Sequence, residues 1–265
     1  MKWILSPLAF LIAAQPALAE LPDGVAKIEV LPGWETPQGT RMAGLKITLA
    51  EGWKTYWRAP GDAGIPPTFS WDGSQNIAGA AFYWPTPEVF SSNGMQTIGY
   101  HDQVVLPVEF TPDADGGPMT VAGSVEMGVC DDICMPVTMR FNVELPPSGK
   151  RDALIASALV DQPVTAADAA VSAVTCAVEP IRDGLRVTAT IAMPSVGGEE
   201  VVVIESGHPD VWVSEAVSHR DGGALMAVAD VVPTSVGGFA LDRSALRLTV
   251  LGSDLAVDIK GCTGS

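Results

Sequence analysis

Positive charge is scarce in this sequence. Its 265 residues include 15 Lys and Arg against 31 Asp and Glu, and the formal net charge is −16. A surface of that sign repels phosphate backbones and anionic lipid headgroups. We therefore expect neither nucleic acid nor a membrane surface as a partner.

Several catalytic signatures are also absent. The sequence contains no G-x-S-x-G, no H-E-x-x-H, no Walker loop and no dinucleotide-binding glycine pattern. The sequence therefore does not support a serine hydrolase with a G-x-S-x-G motif, a zinc protease or a nucleotide-dependent enzyme. We expect no resident cofactor.

Long helices and long apolar runs are missing as well. The 27 Gly and 21 Pro, with only 17% charged residues, favour short elements joined by tight turns. A hydrophobic content of 47% is nevertheless enough for a sizeable buried core. These features exclude a disordered chain and disfavour a helical bundle.

Residues 1–19 are typical of a cleavable export signal. Lys2 supplies positive charge, residues 3–14 are apolar, and residues 17–19 fit a small-x-small cleavage site. A membrane anchor is the alternative, but the apolar stretch is short for a span, and no lipid-bearing Cys follows the site. We expect a mature chain from Glu20 in the periplasm, an oxidising compartment where disulfides form.

The rest of the sequence consists largely of short apolar or alternating runs separated by Gly and Pro. This pattern predicts antiparallel strands, and the close spacing favours β-sandwiches. We predict an all-β chain of two immunoglobulin-like antiparallel sandwiches, at residues 20–147 and 174–265. The Ala-rich residues 148–173 predict a short linker with a helix at 152–160, and residues 211–217 predict a single strand.

The four cysteines form two unlike pairs. Three residues separate Cys130 from Cys134, between two strand-like runs. A hairpin of that size would place the two thiols opposite each other, and a bridge closing so small a ring suits redox exchange better than stapling. Asp131 and Asp132 disfavour a free thiolate, and no His or Asn signature nearby would activate a cysteine hydrolase.

The second pair, Cys176 and Cys262, encloses the second predicted domain. A bridge there would close a loop of about 86 residues, for which the chain-entropy model gives about 4.5 kcal/mol. We interpret it as a structural disulfide. Two free thiols are the alternative, which an exported protein disfavours.

Soft metal binding is a second use for the close pair. A ligand set that would suit Cu(I) contains Met127, Cys130, Cys134 and Met135, with His101 as an extra ligand. The alternative for both methionines is gap-filling in the core. His208 and His219 have no partner at ligand spacing, so we expect both on the surface.

Three motifs carry a family resemblance. They are GWKTYWR at residues 52–58, FSSNG at 90–94 leading to YHD at 100–102, and CDDICMP at 130–136. With residues 57–64, they resemble the periplasmic N-terminal domain of the DsbD/ScsB family of thiol:disulfide interchange proteins. The C-x3-C spacing is similar to that of the suppressor-of-copper-sensitivity group and shorter than the spacing in DsbD.

The resemblance implies an electron carrier. Its cysteine pair would take electrons from a thioredoxin-like or membrane-embedded donor and pass them to oxidised periplasmic thiol proteins. Cys134 would form mixed disulfides and Cys130 would resolve them. Trp53 and Tyr56 would lie on a strand beside the thiols, and Phe90 would lie at the position of an aromatic cap. Because no thioredoxin-like part follows in the chain, we expect a separate donor.

A shield over the pair is expected between residues 88 and 102. This segment carries Phe90, Met95 and Tyr100, and it is long enough for a loop to fold over the hairpin. Phe90 should therefore pack near Cys134. Three hypotheses stay open at this point: a protein-disulfide reductase-like carrier, a Cu(I)-binding copper-tolerance protein using the same cysteines, and a non-catalytic binding module.

Overall fold

The computed structural model describes residues 24–61, 63–92, 95–113, 117–234 and 240–264. The predicted export signal at residues 1–19 lies outside the described residues. Within them, no helix is both long enough and apolar enough to cross a membrane.

The described residues of the first half of the chain form ten strands. They are β1 (Ala26–Glu35), β2 (Arg41–Leu49), β3 (Lys54–Tyr56), β4 (Thr68–Ser70), β5 (Ile77–Phe82), β6 (Glu88–Ser92), β7 (Met95–His101), β8 (Gln103–Pro112), β9 (Met119–Cys130) and β10 (Cys134–Leu145). One sheet has the order β1-β2-β8-β5, and the other has the order β10-β9-β3-β7-β6, with β4 beside β9. Every pairing is antiparallel.

A helix and ten more strands follow. They are α1 (Ala153–Val160), β11 (Val164–Thr165), β12 (Ala173–Ile181), β13 (Gly184–Ala192), β14 (Val201–Glu205), β15 (Val211–Val213), β16 (Val217–Asp221), β17 (Ala224–Pro233), β18 (Arg247–Leu251), β19 (Ala256–Lys260) and β20 (Thr263–Gly264). The sheet orders are β11-β19-β18-β14 and β15-β17-β13-β12-β20, with β16 beside β17. Strand β11 pairs in parallel with β19, and β20 pairs in parallel with β12; both β11 and β20 lie at sheet edges.

The alternation of apolar and polar residues explains these sheets. In β17, Leu225, Ala227, Ala229 and Val231 are buried while the residues between them are partly exposed. Such a period of two places one face of a strand on a core. The predicted all-β, antiparallel class is confirmed, whereas the division into two immunoglobulin-like sandwiches stays a prediction.

The residues predicted as a linker carry packed structure. Helix α1 begins after Asp152, whose carboxylate accepts from the amides of Leu154 at 2.8 Å and Ile155 at 3.2 Å. Ile155 is fully buried against Gly44 of β2, where a Cβ would come within 2.8 Å of the Ile155 side chain. The predicted helix is therefore confirmed, and it packs on the first half.

The predicted strand at 211–217 is two strands. Strand β15 ends at Val213 and β16 begins at Val217, and both pair with β17. The interruption has a local cause: the Ser214 hydroxyl accepts from the Asp230 amide at 2.9 Å, and the Ser214 amide donates to the Asp230 carbonyl at 2.9 Å. The Ser214 side chain therefore occupies the Asp230 amide, and the register shifts here, because residues 214–216 lie opposite only residues 229–230 of β17.

The apolar core beneath β3 and β9 continues into the second half of the chain. Trp57 is fully buried there, in a cluster that also contains Val201, Leu251 and Ala256. A separate cluster fills the interior of the second half. The two halves are therefore joined by apolar packing, and this joint lies close to the cysteine pair.

Candidate redox site

Cys130 and Cys134 face each other at the turn end of the β9–β10 hairpin. They are directly paired in the antiparallel ladder, their Cα atoms are 4.1 Å apart, and a disulfide joins them. Cys130 is fully buried, whereas Cys134 is exposed beside the exposed turn residues. An incoming thiol can therefore approach Cys134 more readily than Cys130.

A row of laterally paired residues crosses the sheet at the position of Cys130. Lys54 of β3 pairs with Cys130 on one side and with His101 of β7 on the other. Directly paired residues point to the same face of a sheet, so Lys54 and His101 share the face of the disulfide. We call this surface the redox face. A lysine beside a cysteine favours the thiolate form when the bridge is reduced.

Tyr56 supplies the polar contact to both sulfurs. It lies two residues after Lys54, and its hydroxyl is 2.8 Å from Cys130 Sγ and 3.2 Å from Cys134 Sγ. Tyr56 is almost fully buried, and this burial raises the pKa of its hydroxyl above the ordinary value. The hydroxyl therefore keeps its proton at neutral pH, where it can donate to either sulfur.

Two glycines leave room for the Tyr56 ring. A Cβ on Gly128, in the neighbouring strand β9, would lie 2.9 Å from the ring, and so would a Cβ on Gly64. Any side chain at either position would displace the ring from the sulfurs. Sequence reasoning missed both residues. For Gly128 the available signal was its position within a strand, where a glycine often marks a close approach of other atoms.

Phe90 lies on the edge strand of the redox face. The predicted loop over residues 88–102 is instead the β6–β7 hairpin. The Lys54 ammonium is 5.2 Å from the centre of the Phe90 ring, and the His101 ring meets it edge-on at 5.7 Å. The Glu88 carboxylate oxygen Oε1 lies 3.1 Å from His101 Nδ1. Phe90 thus contacts the neighbours of Cys130, and its packing on Cys134 stays a prediction.

Tyr100 lies on the opposite face, so its prediction as part of the cap is wrong. It is a residue of strand β7, paired with Thr55, and both are buried. Its hydroxyl donates to the carbonyl of Pro85 at 2.8 Å, and burial raises its pKa well above the ordinary value. Trp53, also expected beside the thiols, is half-buried against the apolar cluster.

The Cu(I) ligand set is not brought together. Met127 and Met135 are each an odd number of residues from the cysteine of their strand, so strand alternation directs them to the opposite face. Met127 is buried in the core, and Met135 packs against the same cluster. Among the described residues, no group of three or more His, Cys, Asp or Glu is placed to hold a metal ion.

The other two histidines are exposed, as the sequence predicts. His208 Nδ1 accepts from the backbone amide of Asp210 at 3.3 Å, and His219 lies in strand β16.

The second disulfide joins Cys176 to Cys262 across a sequence separation of 86. Cys176 is fully buried in β12, and Cys262 is half-buried just before β20. Arg243 Nε donates to the carbonyl of Cys176 at 3.1 Å. The bridge attaches the end of the chain to a core strand of the second half.

The redox face combines three features that favour thiol–disulfide exchange. One sulfur belongs to an exposed residue, a protonated hydroxyl touches both sulfurs, and a lysine lies in the next strand. The hydroxyl and the lysine both stabilise negative charge on a sulfur that leaves a disulfide. The arrangement is therefore suited to opening and closing the bridge.

Residues 27–146 match the family model described as "Thiol:disulfide interchange protein DsbD, N-terminal". The N-terminal periplasmic domain of ScsB from Proteus mirabilis has a similar fold, with a TM-score of 0.68 and 23% identity over 93% of this chain and 96% of that one. The reduced N-terminal domain of DsbD from Neisseria meningitidis matches with a TM-score of 0.30 and 16% identity, over 52% of this chain and 95% of that one. No curated protein matches the chain. Residues 27–146 are therefore similar to the N-terminal domains of DsbD-type thiol:disulfide interchange proteins.

Proposed function

We propose that this protein is a thiol–disulfide electron carrier that works through Cys130 and Cys134. The observation that carries the proposal is the contact of the Tyr56 hydroxyl with both sulfurs, beside one exposed and one buried cysteine. A purely structural bridge needs neither an accessible cysteine nor a proton donor at its sulfurs. The match of residues 27–146 to the family model of thiol:disulfide interchange proteins supports the same chemistry.

In the loading step, a thiolate of the donor attacks Cys134 Sγ. The Cys130–Cys134 bond breaks, a mixed disulfide with the donor forms, and Cys130 leaves as a thiolate. The Tyr56 hydroxyl donates a hydrogen bond to that thiolate and so stabilises the leaving group. The donor's second thiol then attacks the donor sulfur that is bound to Cys134, and Cys134 is released as a thiolate. The donor leaves oxidised, and the chain leaves with two thiols.

In the delivery step, the Cys134 thiolate attacks a disulfide of the acceptor. One acceptor sulfur is released as a thiolate, and the other is bound to Cys134. Cys130 then attacks Cys134 Sγ, which releases the second acceptor thiol and restores the intramolecular bridge. Two electrons have moved to the acceptor, and the two protons that the Cys130 and Cys134 thiols release to water are balanced by the two that the acceptor thiolates take up.

The proposed donor is a thioredoxin-like or membrane-embedded protein, and the proposed acceptors are oxidised periplasmic thiol proteins. The family description supports partners of this chemistry. The predicted export signal and the periplasmic origin of the similar ScsB domain support the proposed location.

The test uses reduced thioredoxin as the donor and the full mature chain as the acceptor of electrons. Thiol labelling followed by mass spectrometry reports which cysteines become reduced, while circular dichroism reports the fold. We expect Cys130 and Cys134 to be labelled in the folded protein. If they can be reduced only when the protein unfolds, the carrier function is refuted.

A further inference from the structure

The segment that follows Tyr56 connects the redox face to the second half. Loop 57–66, of which Asp62 lies outside the described residues, leaves β3 after Tyr56 and returns to β9, where the Gly128 amide donates to the Ile65 carbonyl at 3.4 Å. On its inner side, Gly64 lies against the Tyr56 ring. The loop is therefore one wall of the space that holds Tyr56.

The outer side of the same loop binds the second half through an ion pair. Arg58 Nε donates to one carboxylate oxygen of Glu205 at 3.0 Å, and Arg58 Nη2 donates to the other at 2.8 Å. The guanidinium also lies over the Trp57 ring, at 3.9 Å from its centre. The two charged side chains are only 14% and 23% exposed. A bidentate pair with this burial fixes the position of the loop relative to β14.

Beyond Arg58, a cleft of about 250 Å³ separates the loop from the second half. Pro60, Gly61 and Gly64 line one side, and residues 201–204 and Trp212 line the other. The close attachment of the loop is therefore made at its start, where Trp57 packs on Val201 and its neighbours and where Arg58 binds Glu205. This start directly follows Tyr56.

We propose that Arg58 is a positioning residue of the redox site, through which the second half holds the Tyr56 hydroxyl against the two sulfurs. The second half contributes no group to the reacting atoms in this proposal, and it acts by fixing loop 57–66. The inference rests on the proposed function, because it concerns how the same cysteine pair is tuned.

The proposal predicts a measurable change in thiol chemistry when the ion pair is weakened. In the variant Glu205→Gln, shape is kept and the carboxylate charge is lost, so the loop gains freedom and Tyr56 spends less time on the sulfurs. A thiolate that loses a donated hydrogen bond is disfavoured. We expect about three- to tenfold less thiolate at neutral pH in the reduced protein.

The experiment measures the pH dependence of cysteine alkylation in the reduced, full-length mature protein. The matched control is Asp183→Asn, which breaks the Arg182–Asp183 ion pair between β12 and β13 in the second half. We expect the alkylation profile of the control to coincide with that of the unaltered protein. A shift of equal size in the control would overturn the proposal.

A second pair of variants shows whether the effect passes through Tyr56. Tyr56→Phe should raise the thiol pKa by itself, and Glu205→Gln added to Tyr56→Phe should raise it no further, because both changes act on one hydroxyl. Arg58→Lys keeps the charge but loses the bidentate geometry, so we expect an intermediate shift. It replaces Glu205→Gln as the test if that variant does not fold.

The outcomes separate this inference from the proposed function. If Tyr56→Phe shifts the thiol pKa while Glu205→Gln and Arg58→Lys do not, the positioning role is overturned and the carrier function stands. Additive shifts in the double variant also overturn the positioning role. If the cysteine pair of the unaltered protein cannot be reduced in the folded state, the carrier function itself fails.

Discussion

The two disulfides lie in halves of similar architecture, each with one four-stranded and one six-stranded sheet, but their surroundings differ. In the first half the bridge joins residues four positions apart at the end of a hairpin, and one of them is exposed. In the second half it joins residues 86 positions apart, and neither of them is fully exposed. The comparison teaches that sequence separation and access distinguish a bridge suited to exchange from one suited to stabilising a fold.

The chain-entropy model puts magnitudes on this difference. Closing a loop of 86 residues stabilises the folded state by about 4.5 kcal/mol, whereas closing one of four residues contributes about 2 kcal/mol. Opening the small bridge therefore costs the fold less than opening the large one. In the proposed exchange, the first half would lose its disulfide in each cycle at a small cost in stability, whereas the second half gains more by keeping its own.

The largest expected effect is the loss of exchange in Cys134→Ser. A serine hydroxyl cannot replace the thiolate that attacks a partner, so electron transfer should cease while the fold persists. Cys130→Ser should instead accumulate a covalent complex with its partner, because the resolving thiol is missing. Gel electrophoresis without reductant detects the complex. If the complex accumulates in Cys134→Ser, the roles of the two cysteines must be exchanged.

The second effect is on stability. Replacing Cys176 and Cys262 together with Ala should lower the free energy of unfolding by up to about 4.5 kcal/mol, which corresponds to roughly 10 °C in Tm. Replacing Cys130 and Cys134 with Ala should cost about 2 kcal/mol. Calorimetry compares the two variants, and the first should retain exchange. Equal losses of stability would remove the distinction between the bridges.

A smaller effect is expected from Gly128→Ala. The new Cβ would lie 2.9 Å from the Tyr56 ring and 2.8 Å from the Ile65 side chain, so the ring must move away from the sulfurs. We expect exchange with thioredoxin to slow about fivefold, the equivalent of one hydrogen bond of about 1 kcal/mol. Gly223→Ala is the matched control, since its Cβ would meet nothing within 4 Å. An unchanged rate in Gly128→Ala would argue against a role for Tyr56.

The smallest effect concerns shielding by Phe90. In Phe90→Ala the ring that contacts Lys54 and His101 is lost, which opens the redox face at its edge. Alkylation of the reduced cysteines should become faster, and circular dichroism should show an unchanged fold. Met95→Ala, in the same hairpin and already 57% exposed, is the control. If both variants react like the unaltered protein, Phe90 does not act as a cap.

Much of the fold could be predicted because its strands alternate in polarity and are bounded by Gly and Pro. The prediction failed where tertiary pairing decides the structure. Residues 88–102 were expected to form a loop and instead form a hairpin at a sheet edge. Residues 211–217 are divided where their register against β17 shifts by one residue. Local sequence does not reveal a partner that is distant in the chain.

The site could be predicted only in part. The spacing of Cys130 and Cys134 is a local signal, and the structure pairs them as expected. The same strand period could have excluded Met127, which lies an odd number of residues from Cys130. The role of Gly64 could not be read from the sequence, because its contact with the Tyr56 ring depends on the path of loop 57–66.

The most direct test of the central claim is a comparison of the two bridges in one titration. The mature protein is equilibrated with glutathione buffers of increasing reducing strength, trapped by alkylation and analysed by mass spectrometry for each cysteine pair. We predict that Cys130–Cys134 opens first, with the fold intact by circular dichroism, while Cys176–Cys262 remains closed. If both pairs open together as the protein unfolds, or if Cys176–Cys262 opens first, the claim is contradicted.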